Sequence, residues 1–107
     1  MPITTSKMAA NRASVTFEYM GDNCTVVYAP GKINQVIIDK LDGTTEQCIQ
    51  ALAETMVSWD YMDDLVDPPV MFPIDGERLK EVSWPFLLVV RQAIVRDMRP
   101  NTAAPQA

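Results

Sequence analysis

Asp60, Asp63, Asp64 and Asp67 fall within eight residues, the one concentration of reactive side chains in the chain. Asp63-Asp64-Leu65-Val66-Asp67 spells DDxxD, the pattern with which prenyl-transferring enzymes hold Mg²⁺ against a diphosphate. On a helix such carboxylates can converge on a hard cation. That chemistry also needs a large helical cavity, a second acidic motif and basic groups for the diphosphate. A chain of 107 residues cannot enclose that cavity, and these aspartates run into Pro68-Pro69. The spacing fails the EF-hand pattern too. A solvated loop after a helix end is the plainer reading, so no metal ligands and no cofactor are expected.

Nucleophilic and acid–base chemistry fare no better. There is no histidine, which removes the commonest general base, zinc nitrogen ligand and pH switch together. Lys7, Lys32, Lys40 and Lys80 sit in polar surroundings, and the four glycines are isolated, so no phosphate-cradling loop exists. Cys24 and Cys48 form no CxxC pair and lie in apolar stretches, which reads as two small reduced core residues. No catalytic residue is expected, and the chain reads as a non-enzyme.

The elements around the aspartates set where they can act. The length suits one domain, and 48% hydrophobic with 21% charged residues is the composition of a globular protein. Residues 1–13 and 100–107 lack a sustained period and are expected to be a disordered arm and a flexible tail around a single domain at 14–99. Val15, Phe17 and Tyr19 alternate with Thr16 and Glu18, and Cys24, Val26 and Tyr28 alternate again. Gly21-Asp22-Asn23 between them predicts a hairpin. Ile33, Val36, Ile37 and Leu41 suit a short helix stopped by Asp42-Gly43, although Val36-Ile37-Ile38 would also suit a strand. Thr44 and Gln47 form a capping-box pattern. The helix it opens carries a stripe of Ile49, Leu52, Met56 and Trp59.

Residues 60–75 read as a long irregular connection, followed by a helical turn at 77–82. Ser83 and Pro85 then open a last helix to about Arg99. Leu87, Val90 and Ile94 would face the core, whereas Leu88 and Val95 lie towards Arg91, Gln92 and Arg96. The expected fold class is α+β, an N-terminal β-hairpin packed on a small helical C-terminal half.

The surface charge narrows the partners. Nine Lys+Arg against fourteen Asp+Glu give a net charge of −5, which disfavours nucleic acid. No signal sequence or membrane-length apolar run is visible, so a soluble cytoplasmic protein with no membrane partner is expected. From Asp39 to Asp67 eight acids face Lys40 alone, whereas the last helix carries Arg91, Arg96 and Arg99 against Asp97. The plain reading of that asymmetry is pairing within the fold plus solvation, with pairing between subunits or with a charged client as the alternatives. Met56, Met62, Met71 and Met98 read as core fillers, although methionine also lines adaptable binding surfaces. The last helix has more apolar surface than one core needs, which suits either a central position or a covered partner.

Val57-Ser58-Trp59-Asp60, then Asp63-Asp64, a proline-bearing linker and a last helix ending Asp97-Met98-Arg99-Pro100-Asn101, resembles the tail assembly chaperones of long-tailed bacteriophages. The resemblance covers residues 45–101 well and the 14–30 hairpin loosely. The compact 31–44 segment is shorter than the usual connection. The resemblance implies a non-catalytic chaperone that binds and solubilises the tape measure protein and helps recruit tail tube subunits. It would work in the host cell cytoplasm and be absent from the mature virion. A longer frameshifted form of the same protein is a further implied partner. On this reading client contacts are expected at Met56, Trp59, Trp84, Leu88 and Val95, with Asp60, Asp63 and Asp64 as a polar rim. The rival readings are a structural tail component, such as a terminator or connector, retained in the virion, and a small Mg²⁺ enzyme using the aspartates.

Overall fold

The alternating segments form an antiparallel pair, β1 (Ala13–Tyr19) and β2 (Asp22–Tyr28), in unbroken register from Ala13↔Tyr28 to Tyr19↔Asp22. The computed structural model describes residues 2–98, so Arg99 and the 100–107 tail lie outside the described residues. The connection differs from the Gly21-Asp22-Asn23 turn expected. It is a two-residue turn at Met20-Gly21, with φ of +55° and +85°. Two positive φ values give a two-residue turn whose twist matches the right-handed twist of the flanking strands. Gly21 adopts that conformation at no steric cost.

A third strand, β3 (Met56–Trp59), pairs with β2 on its other side, giving the order β1-β2-β3. This corrects the helical stripe, which was expected to run on through Trp59. The helix α3 (Thr45–Thr55) stops at Met56, whose ψ of 142° is extended. Val26 opposes Trp59 and Val27 opposes Ser58, but Tyr28 opposes Met56, so Val57 is an extra residue in β3. Such a bulge turns Met56 and Trp59 to the same side of the sheet, and both are buried.

The helices follow their sequence signals. Asn34 accepts from Ile37 N at 3.0 Å to open α2 (Gln35–Leu41), which buries Ile37 and Leu41. The capping box of α3 is closed in both directions, Gln47 N to Thr44 Oγ1 at 3.2 Å and Thr44 N to Gln47 Oε1 at 3.0 Å. The last helix (Trp84–Asp97) starts after Ser83 with Pro85 in its first turn, and Phe86, Leu87, Val90 and Ile94 are its buried residues. It packs on β1, and α2 packs on α3. Cys24 and Cys48 are buried free thiols, and burial pushes both above the usual thiol range. The fold is α+β, as expected.

The arm at 1–13 is not featureless: Thr4 caps a short helix, α1 (Thr5–Ala10), that buries no side chain. Its good helix formers Met8, Ala9 and Ala10 support it. It rests on the 3-10 turn Pro30–Lys32, where Gly31 is required because a Cβ there would fall on the Met8 carbonyl. Among the described residues no helix is long and apolar enough to cross a membrane.

Candidate functional site

The connection from Asp60 to Asp75 is less irregular than its sequence suggests. β4 (Met62–Asp63) and β5 (Val70–Met71) pair antiparallel, Met62 opposite Met71, to make a small second hairpin. Phe72 N donates to the Tyr61 carbonyl at 2.8 Å and extends that ladder by one step. At its base the hairpin is held by a buried hydrogen bond, Trp59 Nε1 to the Phe72 carbonyl at 2.9 Å.

Aromatic packing locks the same base. Tyr61 meets Trp59 edge-on at 5.2 Å between ring centroids, stacks on Phe72 at 5.3 Å and touches Phe86 at 5.3 Å. Phe17 and Tyr19 reach Phe86 from β1 at 5.9 and 5.1 Å. Six aromatic rings thus join β1, β3, the second hairpin and the last helix. The Arg78 guanidinium lies 5.0 Å above the Phe72 ring and 3.9 Å from Asp63, closing the outer side.

Beyond this base the hairpin carries apolar side chains into solvent. Leu65 is 95% exposed, and Met62, Val66, Val70 and Met71 are exposed beside it. Burying a side chain of that size is worth about 1.5–3 kcal/mol. Met62 and Met71 oppose each other on one face of the hairpin, Val70 opposes Asp63 on the other, and Leu65 and Val66 lie in the loop between, so the exposed apolar surface wraps around the hairpin. Towards the sheet the base of the hairpin borders a groove of about 490 Å³ between the β1–β2 turn and the Asp60–Met62 segment. Met20, Asp22, Asp60, Tyr61, Met62 and Phe86 are among its lining residues. Met20 projects there at 87% exposure.

The aspartates have two kinds of role. Asp60 accepts from Thr25 N at 3.2 Å, tying the start of the connection to β2. Asp63 accepts from Leu65 N at 3.1 Å and faces Arg78, so it shapes the hairpin. Asp64 and Asp67 are exposed and, among the described residues, make no ion pair. Among the described residues no three His, Cys, Asp or Glu side chains converge as a metal site would require.

The expected client contacts do not form one surface. Met56 and Trp59 are 6% and 4% exposed and belong to the core, a correction that follows from the β3 bulge. Trp84 is half-buried against the core at the start of the last helix. Leu88 is half-buried midway along it. Val95, also half-buried, lines a separate groove of about 790 Å³ with Tyr28, Ile33, Ile38 and Met98. Asp60, Asp63 and Asp64 do not converge: Asp60 is tied to β2, Asp63 faces Arg78 and Asp64 is exposed. Met62 and Met71, read as core fillers, are exposed. Two short apolar runs flanking Pro68-Pro69 were the signal available for this hairpin.

Among the described residues the expected pairing of acidic middle and basic helix occurs once, Arg91 to Asp42 at 3.7 Å. Asp97 instead accepts a hydrogen bond from the Tyr28 hydroxyl at 2.5 Å. Scans of protein-family models, curated proteins and solved structures find no match to this chain.

Proposed function

We propose that this protein is a non-catalytic assembly chaperone of a phage tail, and that it holds its client on the exposed tip of the second hairpin. The observation carrying this reading is the cluster Met62, Leu65, Val66, Val70 and Met71, exposed on a hairpin whose base is fixed by the Trp59–Phe72 hydrogen bond and ring packing. A rigid base removes the ordering cost that a floppy apolar loop would meet on binding. The exposed methionines Met62 and Met71 adapt to varied apolar shapes, which suits a client held along many of its segments.

The motif order Val57-Ser58-Trp59-Asp60, Asp63-Asp64 and Asp97-Met98 supports the same class. On this reading the client is the tape measure protein, tail tube subunits are recruited to the complex, and a longer frameshifted form takes part. The chaperone acts in the host cytoplasm and is absent from finished virions. Asp64 and Asp67 form the polar rim, and they favour client segments whose apolar residues are flanked by Lys or Arg.

Co-expression with the tape measure protein tests this. The client should be insoluble alone and should become soluble and co-purify with the chaperone. Unchanged solubility with no co-purification would end the proposal. Mass spectrometry of purified particles separates the chaperone from a structural tail component, because a retained component would be found there and a chaperone would not.

A further inference from the structure

β1 lies at the edge of its sheet, and among the described residues no strand pairs with its outer side. The hydrogen-bond parity shows which of its backbone groups face outward. Asp60 N donates to the Thr25 carbonyl, so Thr25 points towards β3 and its partner on β1, Thr16, points away from β2. By the alternation of an antiparallel ladder, Ser14 and Glu18 also present their N–H and C=O groups to the open edge.

This edge lacks the usual protection. Ala13–Tyr19 contains no proline and no lysine, and its register with β2 is free of bulges. Its inward face is also incompletely covered. Val15, Phe17 and Tyr19 are half-buried, whereas Cys24, Val26 and Tyr28 next to them on β2 are buried. The apolar face therefore continues to the edge and stops there.

We propose that β1 pairs with β1 of a second copy of this chain, antiparallel about a two-fold axis through Val15, so that the two sheets become one. Charge selects the register. With Val15 opposite Val15, Ser14 faces Thr16 and Arg12 faces Glu18, twice by symmetry. Ser14, Thr16 and Glu18 present their backbone groups outward, and Arg12 immediately precedes the strand. Moving the axis by one residue to Thr16 sets Glu18 against Ser14 and Arg12 against Met20, and both charge pairs are lost. Arg12 and Glu18 are exposed and make no ion pair within the described chain. Opposite charges directly across two strands favour the pairing, and like charges there oppose it. The association covers the half-buried Val15 and Phe17 of both copies and leaves the second hairpin of each exposed for a client.

Sedimentation of the full chain over a dilution series tests this directly. The wild-type protein should show a reversible monomer–dimer equilibrium. Arg12→Glu and Glu18→Arg should each weaken it several-fold, and the double exchange should restore it. Thr16→Pro removes an N–H that points away from β2, along with the Thr16–Thr25 hydroxyl hydrogen bond of 2.8 Å, so it should abolish the dimer while the far-ultraviolet circular dichroism keeps the native signature. A wild-type chain monomeric at every concentration would overturn the proposal. So would a dimer that neither the charge variants nor a folded Thr16→Pro protein disturbs.

Discussion

Replacing Trp59 by Phe isolates the element that holds the second hairpin in place. Trp59 is 4% exposed, and its indole N–H donates to the Phe72 carbonyl at 2.9 Å. Phenylalanine keeps an aromatic ring in the cluster but supplies no donor. Leaving a buried carbonyl unsatisfied costs about 1–3 kcal/mol. The smaller ring also forfeits packing against Tyr61 and Phe86, roughly another 1 kcal/mol. The expected loss is thus roughly 2–4 kcal/mol, or a fall in melting temperature of about 10–25 °C for a domain of this size. Urea titration followed by circular dichroism measures it without relying on the deleted fluorophore. Trp84→Phe is the control: Trp84 is half-buried and should cost less than about 1 kcal/mol. A Trp59→Phe loss below about 0.5 kcal/mol would refute the reasoning, since neither the hydrogen bond nor the ring packing would then be holding the hairpin.

Three further outcomes follow from other parts of the fold. Thr44→Ala opens the capping box of α3 and should cost about 1 kcal/mol in thermal unfolding. Gly31→Ala places a Cβ against the Met8 carbonyl, so α1 should undock; amide exchange of residues 5–10 should accelerate while the core keeps its protection. Burial, then the hydrogen bond to Asp97, raises the Tyr28 hydroxyl above the ordinary tyrosine range. A raised acid contributes stability that is complete below its unfolded value of about 10 and is lost as pH rises through the folded value. Stability should therefore fall above about pH 10, after an earlier decline from the raised Cys24 and Cys48 thiols, and Tyr28→Phe should flatten the upper part of that slope.

The helices and the first hairpin were legible where a local signal and the tertiary environment agree. Thr44 with Gln47, Ser83 with Pro85, and the alternations at 15–19 and 24–28 each name their element, and each forms there. Trp59 misled because the bulge at Val57 puts Met56 and Trp59 on one side of a strand, which imitates the three-residue spacing of a helix face. The site was harder to read. Met62, Val70 and Met71 lie in runs too short for any period to tell inside from outside. Their exposure depends on a ladder closed across Pro68-Pro69 and on Tyr61 and Phe72 filling the base beneath them. The aspartates stood out by composition, yet Asp60 and Asp63 serve mainly to fix this geometry.

The most direct measurement compares wild-type protein with the Leu65→Asp/Met71→Asp double variant as partners for the proposed tape measure client in co-expression. Leu65 is 95% exposed and Met71 40%, so the variant should stay folded and lose no more than about 2 kcal/mol. Losing Leu65, worth about 1.5–3 kcal/mol, and the exposed part of Met71, worth roughly 1 kcal/mol, should weaken client binding at least about 30-fold and return the client to the insoluble fraction. A folded variant that keeps the client soluble as well as wild type does would contradict the account, because the holding surface would then lie elsewhere on the molecule.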